Sequence, residues 1–183
     1  FETIISFIIS ANHQIPRIKK SIELISHNYG ELIGIYNGRK CFSFPSAEVL
    51  ANVDENELEE NNKVGYRAKY IINTANIISK NQVNLNELFQ LSRLEAKEIL
   101  MKLQGVGPKV SDCVLLFAFN KDDAFPIDVW VKRVMEHFYL KEDTKLKDIG
   151  IYADKKFGKL AGFAQQYLFY YARELGIGRK KKK

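Results

Sequence analysis

Two residues in this sequence carry side chains whose placement suggests chemistry. Lys109 follows directly on a glycine-rich turn in "LQGVGPKVSDC", and Asp128 stands nineteen positions after it in "FPIDV". A lysine at the start of a helix lies against the helix dipole, whose field favours the neutral amine. A neutral amine is a nucleophile that can form a Schiff base. The same place also suits a lysine that contacts a phosphate, or one that only faces solvent. Asp128 precedes an apolar-periodic run and reads as a helix N-cap. Capping and catalysis are compatible, because a cap holds an ionised carboxylate at a helix mouth, where it can stabilise a developing cation. The turn itself, Gly105-Val106-Gly107, is a backbone device, since glycines tolerate positive φ and let another chain come close. Its amides and the start of the next helix form a concavity suited to a phosphate. A plain tight turn between helices would use the same residues.

Helices must position these groups, and helical periodicity dominates the chain. Phe1, Ile4, Ile5, Ile8 and Ile9 fall at helical spacing. "IPRIKKSIELISHNY" predicts a second helix, stopped by Gly30. Residues 31–46, with Gly34, Gly38 and Pro45, read as a loop. Short helices are expected near 47–52 and 55–61, then a long amphipathic one over 66–81 with Tyr70, Ile71, Ala75 and Ile78 on one face, then a short one at 84–91. "SRLEAKEILMKL" opens with a capping box, Ser92 with Glu95, and runs into the glycine turn. The helix beyond the turn places Val110, Cys113, Val114 and Phe117 at i, i+3, i+4 and i+7. "NKDDAFPID" is a connector to the helix capped by Asp128, and two more helices, near 145–157 and 159–174, end before Gly176. No alternating strand stands out. The expectation is an all-α fold without internal repeats.

Composition narrows the classes. With 46% hydrophobic and 27% charged residues the chain is globular rather than disordered, and 183 residues suffice for one sizeable core or two small lobes. Net charge is +6 and the pI about 9.2, which favours a polyanionic partner, although Lys180, Lys181, Lys182 and Lys183 supply four of those charges in a terminal tail. Two cysteines, Cys41 and Cys113, are too few for a cysteine-built zinc site or an iron–sulfur cluster. They also make a disulfide framework unexpected and favour a reducing, intracellular setting. The apolar run "TIISFIISAN" is about half of a membrane span. The chain opens at Phe1 without a methionine, inside a helix, so it is expected to be a segment of a longer protein.

Taken together, "LQGVGPKVSDC" and "FPIDV" resemble the helix–hairpin–helix DNA glycosylase superfamily, and more narrowly the 8-oxoguanine DNA glycosylases. Further pieces fit in order along nearly the whole chain: "SFIISANHQIPRI" (6–18), "FPS" (44–46), "GYRAKYI" (65–71) and "AGFAQQYLF" (161–169). The resemblance implies two helical lobes with a cleft between them, the helix–hairpin–helix motif at 93–120, and a basic tail at 177–183. It implies a base-excision glycosylase with AP lyase activity, in which Lys109 attacks the sugar C1′ and Asp128 assists it. Gly105, Val106 and Gly107 would hold a DNA phosphate. Carbonyls of Met101, Leu103 and Val106 would correspond to those that bind a monovalent or calcium ion in relatives, with no other cofactor required. Cys113 and Phe169 would sandwich the flipped purine and Gln165 would read its Watson–Crick edge. Tyr66 would be the wedge, Arg17 and Arg67 the readers of the orphaned cytosine, and Asn12 the residue that fills the gap. The partner would be duplex DNA with a damaged purine, bound by a monomer.

This sequence departs from the family pattern in three places. The family's N-terminal sheet domain is expected to lie outside this segment, Trp130 stands where histidine is frequent, and "ANHQ" only partly matches an asparagine-rich run. The Trp130 indole can still donate to a phosphate. Each assigned residue also has a plain reading: Cys113 and Phe169 as core, Gln165 as a surface amide, Arg17 as part of a solvated helix face. A helix–hairpin–helix module without chemistry, an iron–sulfur glycosylase and a lyase for another damaged base are the rival functions.

Overall fold

The computed structural model describes residues 1–177, so the expected basic tail lies outside the described residues from position 178 onward. The chain divides into two compact units, Phe1–Val110 and Ser111–Lys183.

In the first unit, α1 (Glu2–Ser10) buries Ile4, Ile5, Ile8 and Ile9, the stripe that its periodicity predicts. The second helix, α2 (Ile15–Tyr29), begins with proline in its first turn, where no backbone donor is lost. It ends at Gly30, as expected, but by a different device. Gly30 is extended (φ −91°, ψ 168°) rather than left-handed. A Cβ there would run into the carbonyls of Ser43 and Ser26, so the glycine is needed for close approach of two backbone segments.

Residues 31–46 are not all loop. Leu32–Tyr36 (β1) and Arg39–Phe42 (β2) form an antiparallel hairpin in which Tyr36 pairs with Arg39. Asn37 and Gly38 make its two-residue turn, with φ of 50° and 75°, the conformation that Asn-Gly favours between twisted strands. All five residues of β1 are exposed, so no half-buried alternation exists to be read. The fold is helical as expected, and this small hairpin is its one addition among the described residues.

Next come α3 (Ala47–Ala51) and α4 (Glu55–Asn62), capped by Ser46 and Asp54. A 3-10 turn at Gly65–Arg67 leads into α5 (Ala68–Ser79), which packs on α3, α4 and α1 through Ala68, Ile71, Thr74 and Ala75. The helix expected at 84–91 shrinks to a 3-10 turn, Glu87–Phe89. There the Asn84 side chain accepts the Asn86 amide at 3.0 Å, offering the backbone an alternative to a helix. The predicted capping box of α6 (Arg93–Leu100) is present in both directions.

The unit boundary falls within α7 (Pro108–Ala118). Its buried residues run without a break from Val110 to Leu115, and Phe117 is 52% exposed. The expected stripe through Phe117 is therefore corrected: the middle of α7 is enclosed all round. The second unit continues with α8 (Val129–Phe138), α9 (Leu146–Phe157) and α10 (Ala161–Leu175). Phe125, Val131, Met135, Ile149, Ala153 and Ala161 form its core, with Phe157 and Phe169 packed against them.

Candidate active site and nucleic-acid interface

The turn before Lys109 is built from hydrogen-bonded steps. The Leu103 amide donates to Leu100 at 3.0 Å and the Val106 amide to Leu103 at 3.1 Å. Leu103 and Val106 are buried and anchor the loop. Gly105 has φ +84°, and a Cβ on it would lie 2.8 Å from the Tyr70 ring. Both backbone conformation and space thus require glycine at 105. Gly107 differs: its φ is not positive and a Cβ would meet nothing within 4 Å. The fold does not demand glycine at 107, and the space beside its backbone is open.

Lys109 is the second residue of α7 and is half-buried. Its ammonium lies 5.2 Å from the centre of the Phe7 ring, on α1. In the second unit the Asp128 carboxylate accepts the Val131 amide at 2.8 Å, the cap that the sequence predicts. The connector that delivers Asp128 is pinned beforehand. The Gly162 amide donates to the Asp122 carbonyl at 2.7 Å. A Cβ on Gly162 would come within 2.8 Å of that oxygen and 2.9 Å of the Ala124 carbonyl, so α10 approaches the connector closely only because this residue is glycine.

The proposed base pocket residues all belong to the second unit. Cys113 on α7 is buried and reduced, and Gln165 on α10 is buried, its carbonyl oxygen accepting the Gln166 amide at 2.5 Å. The surface amide reading of Gln165 is thereby excluded. Phe169 is half-buried, with the Arg173 guanidinium 5.5 Å from its ring centre. Trp130 is half-buried beneath the Arg133 guanidinium at 5.7 Å.

The first unit gathers the other group. Tyr66, the expected wedge, is 55% exposed. It meets Tyr70 edge-on at 5.9 Å, and Tyr70 in turn lies against Gly105, so Tyr66 and the glycine turn share a support. Asn12 is exposed in the left-handed region (φ 51°), a conformation asparagine tolerates, and Arg17 is exposed on α2.

Arg67 is placed otherwise than expected. Its guanidinium is buried and its fork is turned inward, 4.5 Å from the Tyr66 ring centre. Nε donates to the Ala11 carbonyl at 3.0 Å, one terminal nitrogen to Val64 at 3.1 Å, and the other to Ala11 and to Asn12 at 3.3 Å. In this structure it holds the segment carrying Asn12, and four of its five N–H donors are spent on backbone carbonyls. His13 beside it was not singled out from the sequence. Its Nε2 is buried without a hydrogen-bond partner, and burial, followed by the charges of Arg67 and Arg17, lowers its pKa. Phe7 and Tyr70 were missed as well; the signal for Phe7 was a large ring off the Ile4–Ile5–Ile8–Ile9 stripe.

Among the described residues no group of three or more His, Cys, Asp or Glu is placed to hold a metal, and no helix is long and apolar enough to cross a membrane.

Residues 5–159 match the sequence profile of the HhH-GPD superfamily base excision DNA repair protein. A solved Clostridium acetobutylicum 8-oxoguanine glycosylase/lyase, in complex with double-stranded DNA containing cytosine opposite 8-oxoG, is 46% identical with a TM-score of 0.92; the match covers 97% of this chain and 60% of that one. The N-glycosylase/DNA lyase of Saccharomyces cerevisiae is 34% identical over 96% of this chain and 55% of its own. The 3-methyladenine DNA glycosylase of Archaeoglobus fulgidus is 27% identical with a TM-score of 0.77, over 94% of this chain and 58% of its own. The chain therefore spans somewhat over half the length of these relatives. With the profile covering most of the residues, and with the hairpin, its lysine and the capping aspartate in place, the chain belongs to the HhH-GPD superfamily of base excision DNA repair proteins.

Proposed function

We propose that this chain is the catalytic core of a DNA glycosylase/AP lyase that excises 8-oxoguanine from duplex DNA, with cytosine as the preferred opposite base. The observation that carries the reading is Lys109 at the second position of α7, directly behind a hairpin open at Gly107. The names of the Clostridium and yeast relatives support the same reaction.

In the reaction, the target nucleotide leaves the stack and enters the pocket of Cys113, Gln165 and Phe169. The neutral Lys109 amine forms a bond to C1′ as the bond from C1′ to the purine breaks. The electron pair leaves with the base, which takes up a proton as the newly bonded lysine nitrogen gives one up. The Asp128 carboxylate stabilises the positive charge that grows on the sugar. Ring opening gives an imine between Lys109 and C1′. Loss of a C2′ proton then expels the 3′ phosphate by β-elimination. Gly105, Val106 and Gly107 bind a backbone phosphate, and Trp130 donates to another. Tyr66 and Asn12 fill the vacated space, and Arg17 faces the orphaned cytosine, joined by Arg67 once its fork leaves the Ala11 and Asn12 carbonyls.

The carbonyls of Met101, Leu103 and Val106 are hard oxygen donors, which suit a monovalent or calcium ion. The Leu103 oxygen already accepts one amide at 3.1 Å and has a second lone pair for it. A bound ion would add positive charge to the phosphate site. The likeness to the 3-methyladenine enzyme gives a second reading, excision of a methylated purine.

Single-turnover base release on matched duplexes separates these. The proposal expects release of 8-oxoguanine opposite cytosine, slower release opposite adenine, and none of 3-methyladenine. Release of the methylated base alone would replace the first reading with the second.

A further inference from the structure

A large aromatic ring sits outside the buried arc of α1. Ile4, Ile5, Ile8 and Ile9 make the buried arc of α1. At 100° per residue Phe7 lies about 60° outside that arc, and it is half-buried. What it meets there is the Lys109 ammonium, 5.2 Å from the ring centre, within the range of a cation–π contact. Both residues belong to the first unit.

We propose that Phe7 is a positioning residue for the Lys109 amine: its ring face holds the end of the lysine stem at one place before reaction. This rests on the reading of Lys109 as the nucleophile. Lysine carries four rotatable carbons of conformational freedom, and an amine scattered over many rotamers is seldom at C1′. A carboxylate in the same place would fix the ammonium too, but it would hold the proton that must leave before attack. An aromatic face attracts the cation more weakly, and it remains an apolar wall against the neutral amine after the proton has gone. Phe7 therefore localises the side chain without locking it in the charged form.

The test replaces Phe7 in this 183-residue chain by mono-, di- and trifluorinated phenylalanine, which keep ring size while draining the electron density of the face. Tyrosine and leucine at position 7 complete the set. Single-turnover trapping of the imine by borohydride is measured on saturating duplex bearing an abasic site, together with duplex affinity and melting temperature. The expected result is a graded fall in trapping rate along the fluorinated series, reaching about two- to fivefold, a similar fall for Phe7→Leu, and rates near the parent's for Phe7→Tyr. Duplex affinity and melting temperature should not follow the series. A flat series, or a rate that rises with fluorination, overturns the proposal even if Phe7→Leu is slow, because ring shape alone would then explain it. A parent chain that traps no imine overturns the reading of Lys109 and this inference with it. A parent that traps normally, with a flat series, overturns only the inference.

Discussion

Replacing Arg67 by methionine keeps much of the stem and removes the fork. Three carbonyls then lose charged donors: Ala11, Asn12 and Val64. The Val64 bond is buried and its oxygen would keep only the long 3.4 Å bond from the amide of residue 67. An acceptor left with so weak a partner costs up to about 1–3 kcal/mol. The bonds to Ala11 and Asn12 are only part-buried, so water can replace the guanidinium there and the further loss is smaller. Methionine also relieves the cost of burying a charge, which offsets part of the total. The balance is a loss of about 2–3 kcal/mol, or roughly 4–12 °C in melting temperature for a chain of this size. Differential scanning calorimetry gives the first number. Hydrogen exchange of residues 11–14 gives the second readout, and it should quicken more than exchange in α5. A melting temperature within 1–2 °C of the parent, with unchanged exchange at 11–14, would refute the role of Arg67 as a tether.

Gly105→Ala should lower stability by about 2–4 kcal/mol in denaturant titration, from positive φ and the Tyr70 contact together, whereas Gly107→Ala should stay within about 0.5 kcal/mol yet weaken duplex binding in a fluorescence anisotropy titration. Asp128→Asn retains a capping oxygen, so melting should change little while base release slows by on the order of a hundredfold or more; normal turnover would leave the residue as a cap alone. His13 has a folded pKa below its ordinary 6.5, first through burial and then through Arg67 and Arg17. Protonation therefore favours the unfolded chain, and its contribution is intact above about pH 6.5 and is lost as pH falls below it. The melting temperature of the parent should drop faster between pH 7 and 5 than that of His13→Gln.

Much of the fold was legible because its signals are local. The bounds of α2, the Ser92–Glu95 capping box and the Asp128 cap follow from spacing and cap chemistry within a few residues. The hairpin was not legible from periodicity, since β1 is exposed on both faces; Asn37-Gly38 was the signal to use. Gly30 and Gly162 looked like turn or helix residues, but they serve contacts with Ser43 and with Asp122 and Ala124 that no local pattern encodes. The site divides the same way. Lys109 and Asp128 stand out by motif, whereas the inward turn of Arg67, the enclosure of His13 and the ring of Phe7 over Lys109 are tertiary facts.

The central claim is that the Lys109 amine reacts with the sugar. Borohydride trapping on an 8-oxoguanine–cytosine duplex tests it most directly, with the parent and Lys109→Gln compared at equal duplex occupancy and the adduct located by peptide mass spectrometry. The account predicts a covalent complex for the parent, attached at Lys109, and none for the variant, which still binds duplex. A variant that traps as well as the parent, or an adduct mapped to another amine, would contradict it.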